Sequence, residues 1–154
     1  LPIPADRIGT LHAHCYRALG SPVIAESKVE QWNEENPSFP ITPSKNHTED
    51  HFVPGVDEIS GRSPGDEALE ELNRLRGMMA PRALWPAALV HFEERWSRYK
   101  NDLGLLDFTD LIETALHDLP IAPGDPAVIF ADEAQDLNRM QLSLIRKWGE
   151  RAQY

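Results

Sequence analysis

Apolar residues recur at the three- and four-residue spacing of a single helix face in several successive blocks of this chain, which commits most of its length to packed amphipathic helices. Leu69, Leu72, Leu75 and Met79 form one stripe after Ser63-Pro64-Gly65-Asp66, and Met78-Met79-Ala80-Pro81 ends it. A second helix is expected from about Pro86 to Asn101, with Ala88, Phe92, Trp96 and Tyr99 inward and Glu93, Glu94, Arg95 and Lys100 outside; Asp102-Leu103-Gly104 closes it. Asp107 is placed to cap a third, whose apolar face is Phe108, Leu111, Ile112, Ala115 and Leu116. Leu137 to Trp148 reads as a fourth, with Met140, Leu144, Ile145 and Trp148 inward. Nearer the start, Ile8-Gly9-Thr10 reads as the end of a short strand, Thr10 as the N-cap of a helix through Leu19, and Val29 to Glu35 as a short helix. The stretch from Asn36 to Gly65 is rich in Pro, Ser, Gly, Asn and His without a period and reads as mostly loop.

One segment breaks the helical pattern. Ala127-Val128-Ile129-Phe130-Ala131 is a continuous apolar run between a Gly-Asp-Pro turn and an acidic cluster, the pattern of a strand buried on both faces of a parallel sheet. The acids then sit at its carboxyl end, the edge where open α/β sheets bind ligands. The fold class implied is an α-rich α/β domain.

Composition narrows the function classes. The 154 residues suit one domain, and 41% hydrophobic with 26% charged residues describes a globular protein and excludes a disordered one. No apolar run is long enough to cross a bilayer and the start lacks a signal peptide's apolar core, so no membrane partner and a cytoplasmic location are expected. Cys15 is the only cysteine, which excludes an internal disulfide and a cysteine zinc cage. The formal net charge of −10 argues against a surface that grips nucleic acid through phosphates alone.

The chemistry-bearing residues lie in Asp132-Glu133-Ala134-Gln135-Asp136. A carboxylate ending a buried strand can hold the magnesium that accompanies nucleotide phosphates, the role open to Asp132. Glu133 can orient and deprotonate the water that attacks a terminal phosphate. Gln135, donor and acceptor at once, can sense that phosphate, and Asp136 can fix neighbouring loops by accepting hydrogen bonds. Acids in such a place also simply cap helices and solvate turns. Elsewhere the plain readings dominate: His12 and His14 are two apart and point to different helix faces, Cys15 is a small hydrophobe, His47 and His51 are solvated loop residues, and Trp32, Trp85, Phe92, Trp96, Tyr99 and Trp148 pack in a core rather than stack on bases. Asp107 and Asp110 are explained by capping and the helix dipole.

Asp132-Glu133-Ala134-Gln135-Asp136, followed by Leu137-Asn138 and Gln141, resembles the Walker B motif of UvrD/Rep-like superfamily I DNA helicases. Gly9-Thr10-Leu11-His12 through Leu19 looks like that family's Thr-x-His motif, and Asp107-Phe108-Thr109-Asp110-Leu111 like its Asp-Phe-x-Asp-Leu motif, in the family's order. The resemblance implies a fragment of a first RecA-like P-loop NTPase domain, at 1–21 and 102–154, with a mostly helical insertion like the 1B subdomain at 22–101. It implies that Asp132 coordinates magnesium, that Glu133 is the catalytic base and that Gln135 links phosphate to DNA. Thr10 and His12 would contact single-stranded DNA, and Asp136, Asp107 and Phe108 would have coupling or structural roles. Magnesium, ATP, single-stranded DNA and the remaining RecA-like domains would be the partners of a complete 3′ to 5′ motor, with none of the cofactors tightly held by this piece.

No Gly-x-x-x-x-Gly-Lys-Ser/Thr loop occurs in the chain, so it lacks the backbone cradle and lysine that hold β- and γ-phosphates. Both ends therefore read as cut from a longer motor. Two other classes stay open: a helical protein-interaction module, and a magnesium-dependent nuclease using Asp132, Glu133, Asp136 and His12. The pure chain is predicted neither to hydrolyse ATP nor to unwind DNA, and DNA-stimulated phosphate release by it would overturn this. Chelator-sensitive cleavage of single-stranded DNA would instead favour the nuclease.

Overall fold

The computed structural model describes residues 2–44 and 62–152; His47, His51 and the middle of the Pro/Ser-rich stretch lie outside them. Six α-helices are found among the described residues: α1 (Leu11–Ala18), α2 (Glu30–Glu35), α3 (Pro64–Gly77), α4 (Ala87–Leu103), α5 (Phe108–Asp118) and α6 (Arg139–Gly149). The protein is α-rich. β structure among these residues is confined to isolated bridges, of which Ile24 to Leu106 is parallel.

The helix starts are written locally. Ser63, Asp107 and Asn138 each accept a bond from the N3 backbone amide, while the N3 side chains of Asp66, Asp110 and Gln141 accept one from the cap residue's own amide. Three capping boxes thus satisfy amides that a helix start leaves without partners. Thr10 caps α1 in the simpler way, accepting from Ala13 N at 3.1 Å. Gly104, at φ 66°, ends α4 in the left-handed conformation that glycine adopts without penalty.

Two hydrophobic cores result. The first gathers Ala25, Val29, Trp32, Ile41, Leu69, Leu72, Leu89, Phe92, Trp96, Tyr99 and Leu105. Trp32 is its hub, meeting Phe92, Trp96 and Tyr99 edge-on at centroid distances of 5.6, 5.1 and 5.6 Å, the arrangement ring quadrupoles favour. Its indole N–H donates to the Phe39 carbonyl at 2.8 Å. The second core joins α1, α5 and α6 through Cys15, Leu111, Ile112, Ala115, Met140, Leu144 and Trp148, with Ile24 and Ala122. Helix α3 touches both sides, packing on α4, α5 and α6.

Five sequence expectations need correction. Ile8-Gly9-Thr10 does not end a strand: the 3-10 helix Ala5–Arg7 precedes it and residues 8–9 form a bend. Ala88 is exposed and Leu89 buried instead, because the leucine has more apolar area to remove from water and so sets the rotation of α4. Met79 lies beyond the end of α3 and is 44% exposed; Arg76 occupies the inward position of that turn. Lys100, expected outside, is 5% exposed because two aspartates compensate its charge. Ala127–Ala131 is not a strand buried on both faces: Val128 is 42% and Phe130 87% exposed, since no neighbouring strand among the described residues covers either face.

Gly65, second residue of α3, is buried against the chain at Phe39-Pro40, where an added Cβ would lie 2.3 Å from both carbonyl oxygens. Helix propensity favours alanine by about 1 kcal/mol, but overpacking against backbone costs about 1–3 kcal/mol and is the larger effect. That backbone is pinned by Ser63 Oγ donating to the Pro40 carbonyl and by Asp66 accepting from Thr42 N at 2.8 Å. Gly65→Ala should therefore lower stability in urea unfolding; a stabilised variant would show that the contact yields.

Candidate functional site

The acidic turn follows directly from its caps. Residues 127–131, which belong to no helix, lead into Asp132; Glu133 then adopts a left-handed conformation at φ 51° and ψ 37°, and a single 3-10 turn spans Ala134–Asp136 before Asn138 caps α6. Non-glycine residues visit that region rarely and at some cost. Asp132 Oδ1 accepts from Glu133 N at 2.9 Å, and Gln135 Nε2 donates to Glu133 Oε2. Asp132, Glu133, Gln135 and Asp136 are all exposed, so their polar atoms face solvent or whatever covers the turn. At the far side Asn138 lies against the last residue of α3, since a Cβ on Gly77 would come within 2.6 Å of Asn138 Nδ2.

Thr10 and His12 stand on α1, which packs on α5. The Thr10 hydroxyl is already used as the cap acceptor, though the residue is exposed. His12 is half-buried, and burial pushes its imidazole down to about 4, so it is neutral at physiological pH. His14 faces elsewhere, its Nδ1 lying 3.2 Å from Arg17 Nη2. Among the described residues no group of three or more His, Cys, Asp or Glu converges as a cage for a metal ion, so Asp132, Glu133, Asp136 and His12 do not form one there.

Asp107 and Phe108 belong to a different kind of site. Asp107 is fully buried and its carboxylate accepts from Arg76 Nη1 at 3.1 and 3.0 Å, Trp96 Nε1 at 2.9 Å, Lys100 Nζ at 2.7 Å and Asp110 N at 2.7 Å. Asp110 takes Arg76 Nη2 at 2.6 Å and Lys100 Nζ at 2.5 Å, and Glu113 takes Arg76 Nη2 at 2.8 Å. Burial alone would raise the Asp107 carboxyl, but Arg76 and Lys100 outweigh it and hold it well below the ordinary carboxylate range. Phe108 N donates to Glu26 Oε1 at 3.0 Å. The cluster joins α3, α4 and α5 between the two cores, where it borders a cleft of about 310 Å³ that also meets Trp85, Ser97 and His117.

Sequence reasoning missed Arg76, Lys100 and Glu26. For the first two a signal existed: each falls four residues after a core residue, Leu72 or Trp96, on the buried stripe of its helix, where a charge demands a buried partner. Glu26 lies in the three-residue 3-10 helix Ala25–Ser27, too short to show a buried stripe, and carries no such mark. Set against family models, curated proteins and solved structures, the chain has no match.

Two groups of acids should thus respond oppositely to substitution. Asp107→Asn removes the fully buried charge that Arg76 and Lys100 share, leaving them only Asp110 and Glu113, and should cost about 3 kcal/mol in chemical unfolding, whereas exposed Glu133→Gln should stay within about 0.5 kcal/mol. Equal effects would contradict the assignment. His12, whose folded value of about 4 lies below the ordinary 6.5, binds its proton more readily when unfolded. It contributes stability that is present above 6.5 and lost as pH falls through about 4; His12→Asn should flatten that part of the pH profile.

Proposed function

We propose that this chain is part of an ATP-driven DNA translocase motor of the UvrD/Rep-like kind: an α-rich portion of a RecA-like domain with a helical insertion. The observation that carries the reading is the acidic turn itself. Asp132, Glu133, Gln135 and Asp136 stand exposed at the end of a non-helical apolar segment whose Val128 and Phe130 are uncovered. Neighbouring strands of a parallel sheet would bury those two side chains and leave the acids at the sheet's carboxyl edge.

The donor set fits the proposed cofactors. Magnesium is commonly held by one or two carboxylates, with water and substrate phosphates completing its shell. Among the described residues Asp132 Oδ1 accepts from the Glu133 amide and Oδ2 has no such bond, so Oδ2 is the atom offered for that purpose. Magnesium bound there would neutralise phosphate charge. Glu133 orients the attacking water and accepts its proton, and Gln135, already bonded to Glu133, relates the occupancy of the phosphate position to the base. Thr10 and His12 supply neutral contacts to single-stranded DNA; a neutral imidazole offers one donor and one acceptor. Asp136 accepts hydrogen bonds from neighbouring loops, while Asp107 and Phe108 fix α5 in place.

A helical protein-interaction module is favoured by a different observation: Met78, Met79 and Leu84, in the connection between α3 and α4, are 49%, 44% and 76% exposed. One substitution separates the two readings. In a protein carrying this chain with its flanking sequence, Glu133→Gln should reduce DNA-stimulated ATP hydrolysis by at least about 100-fold with nucleotide binding retained. Undiminished hydrolysis, or a parent with no phosphate-binding loop upstream of Leu1, would leave the interaction module as the better account.

A further inference from the structure

Residues 23–26 and 105–108 run side by side at the seam between the two cores. Leu106 N donates to the Val23 carbonyl at 3.2 Å, Ala25 N donates to the Leu106 carbonyl at 2.8 Å, and Ile24 and Leu106 form the parallel bridge. A parallel ladder would send the next amide, that of Phe108, to a main-chain carbonyl. It goes instead to the Glu26 side chain. Phe108 is also the first residue of α5, so its amide is one that the helix itself leaves without a partner. Glu26 therefore completes the ladder and caps α5 from across the seam, while its own carbonyl accepts from Ser44 N at 2.9 Å.

The second carboxyl oxygen, Oε2, is buried and has no hydrogen-bond partner among the described residues. Asp107 and Lys100 face Glu26 from α5 and α4; Arg76 on α3 and Asp110 and Glu113 on α5 stand behind them, and Lys28 on its own segment is exposed. The two cations are already held by Asp107, Asp110 and Glu113. An ionised Glu26 would add a buried anion beside Asp107 with no cation bonded to it. Carboxyls in such surroundings take up a proton rather than remain charged.

We propose that Glu26 is a proton-operated clasp: neutral, it holds segment 23–28 onto the start of α5, and loss of its proton loosens the seam between the two cores. The direction of its titration agrees. Burial first, and the Asp107 charge second, lift the carboxyl to about 8, against the lowering influence of the Phe108 amide, Glu26's own amide and Lys100. Because the folded value of about 8 lies above the ordinary 4.5, the folded chain keeps a proton that the unfolded chain releases between them. Glu26 thus makes the fold less stable as pH rises through that window, and its contribution is constant outside it. This inference does not depend on the motor reading.

The test is a carbon-13 titration of the Glu26 carboxyl in the whole chain, with urea unfolding of wild type and Glu26→Gln from about pH 5 to about pH 9. Glutamine keeps the acceptor for the Phe108 amide and removes the titration. The carboxyl should titrate near or above neutrality, and the variant's folding constant should gain on wild type by roughly tenfold per pH unit up to that midpoint. Amide exchange at Phe108 should accelerate beyond the midpoint in wild type more than in the variant. A midpoint in the ordinary carboxylate range, or parallel stability curves, would overturn the clasp; if the variant does not fold, the midpoint alone decides.

Discussion

The pairing of Arg76 and Lys100 with Asp107 and Asp110 is the interaction on which the rest of this structure depends. One carboxylate, that of Asp107, starts α5, receives α3 through Arg76, receives α4 through Lys100 and satisfies the indole of the core residue Trp96. Taking these charges out of water is costly, and apolar replacements of similar volume are often no less stable. What the cluster supplies is uniqueness. Apolar faces of α3, α4 and α5 could slide by a turn and still bury much the same area, whereas the fork of a guanidinium meeting two aspartates and a glutamate has one register.

The same cluster separates two classes of acid that look alike in the sequence. Asp107 and Asp110 are consumed by structure, each bonded to cations and backbone amides. Among the described residues Asp132 and Glu133 are bonded within their own turn and no ion pair reaches Asp132, Glu133 or Asp136, and they stay exposed. An acid meant to meet a ligand must keep acceptor capacity, and an acid meant to hold helices must spend it. Glu26 belongs to neither class. Its titration opposes that of His12, which loses stability on acidification where Glu26 gains it.

Much of the helical layout was legible because it is written in short-range chemistry. Ser63, Asp107 and Asn138 with their N3 partners, the Gly104 stop, and the stripes through Leu72, Trp96, Leu111 and Leu144 act within one or two turns. The rotation of α4 was misread by one residue because Ala88 and Leu89 are both apolar and only their neighbours decide between them. The run Ala127–Ala131 was misread for a different reason: an apolar segment states that it wants cover without stating where the cover is. Of the candidate site, the acidic turn was visible as a motif. Its left-handed bend at Glu133 was not, because no glycine or asparagine marks it.

The close approach of Gly77 to Asn138 gives the acidic turn a mechanical property that its exposure conceals. Residue 77 ends the helix that carries Arg76, and residue 138 begins the helix that the turn leads into. A side chain at 77 would have to displace the cap, so the two helix ends bear on one another almost atom to atom. The Asn138 side chain that caps α6 is therefore seated on the Gly77 backbone, one residue from the Arg76 guanidinium that the Asp107 cluster holds. Solvated as they are, the carboxylates of this turn are tethered at residue 138 to the buried half of the molecule.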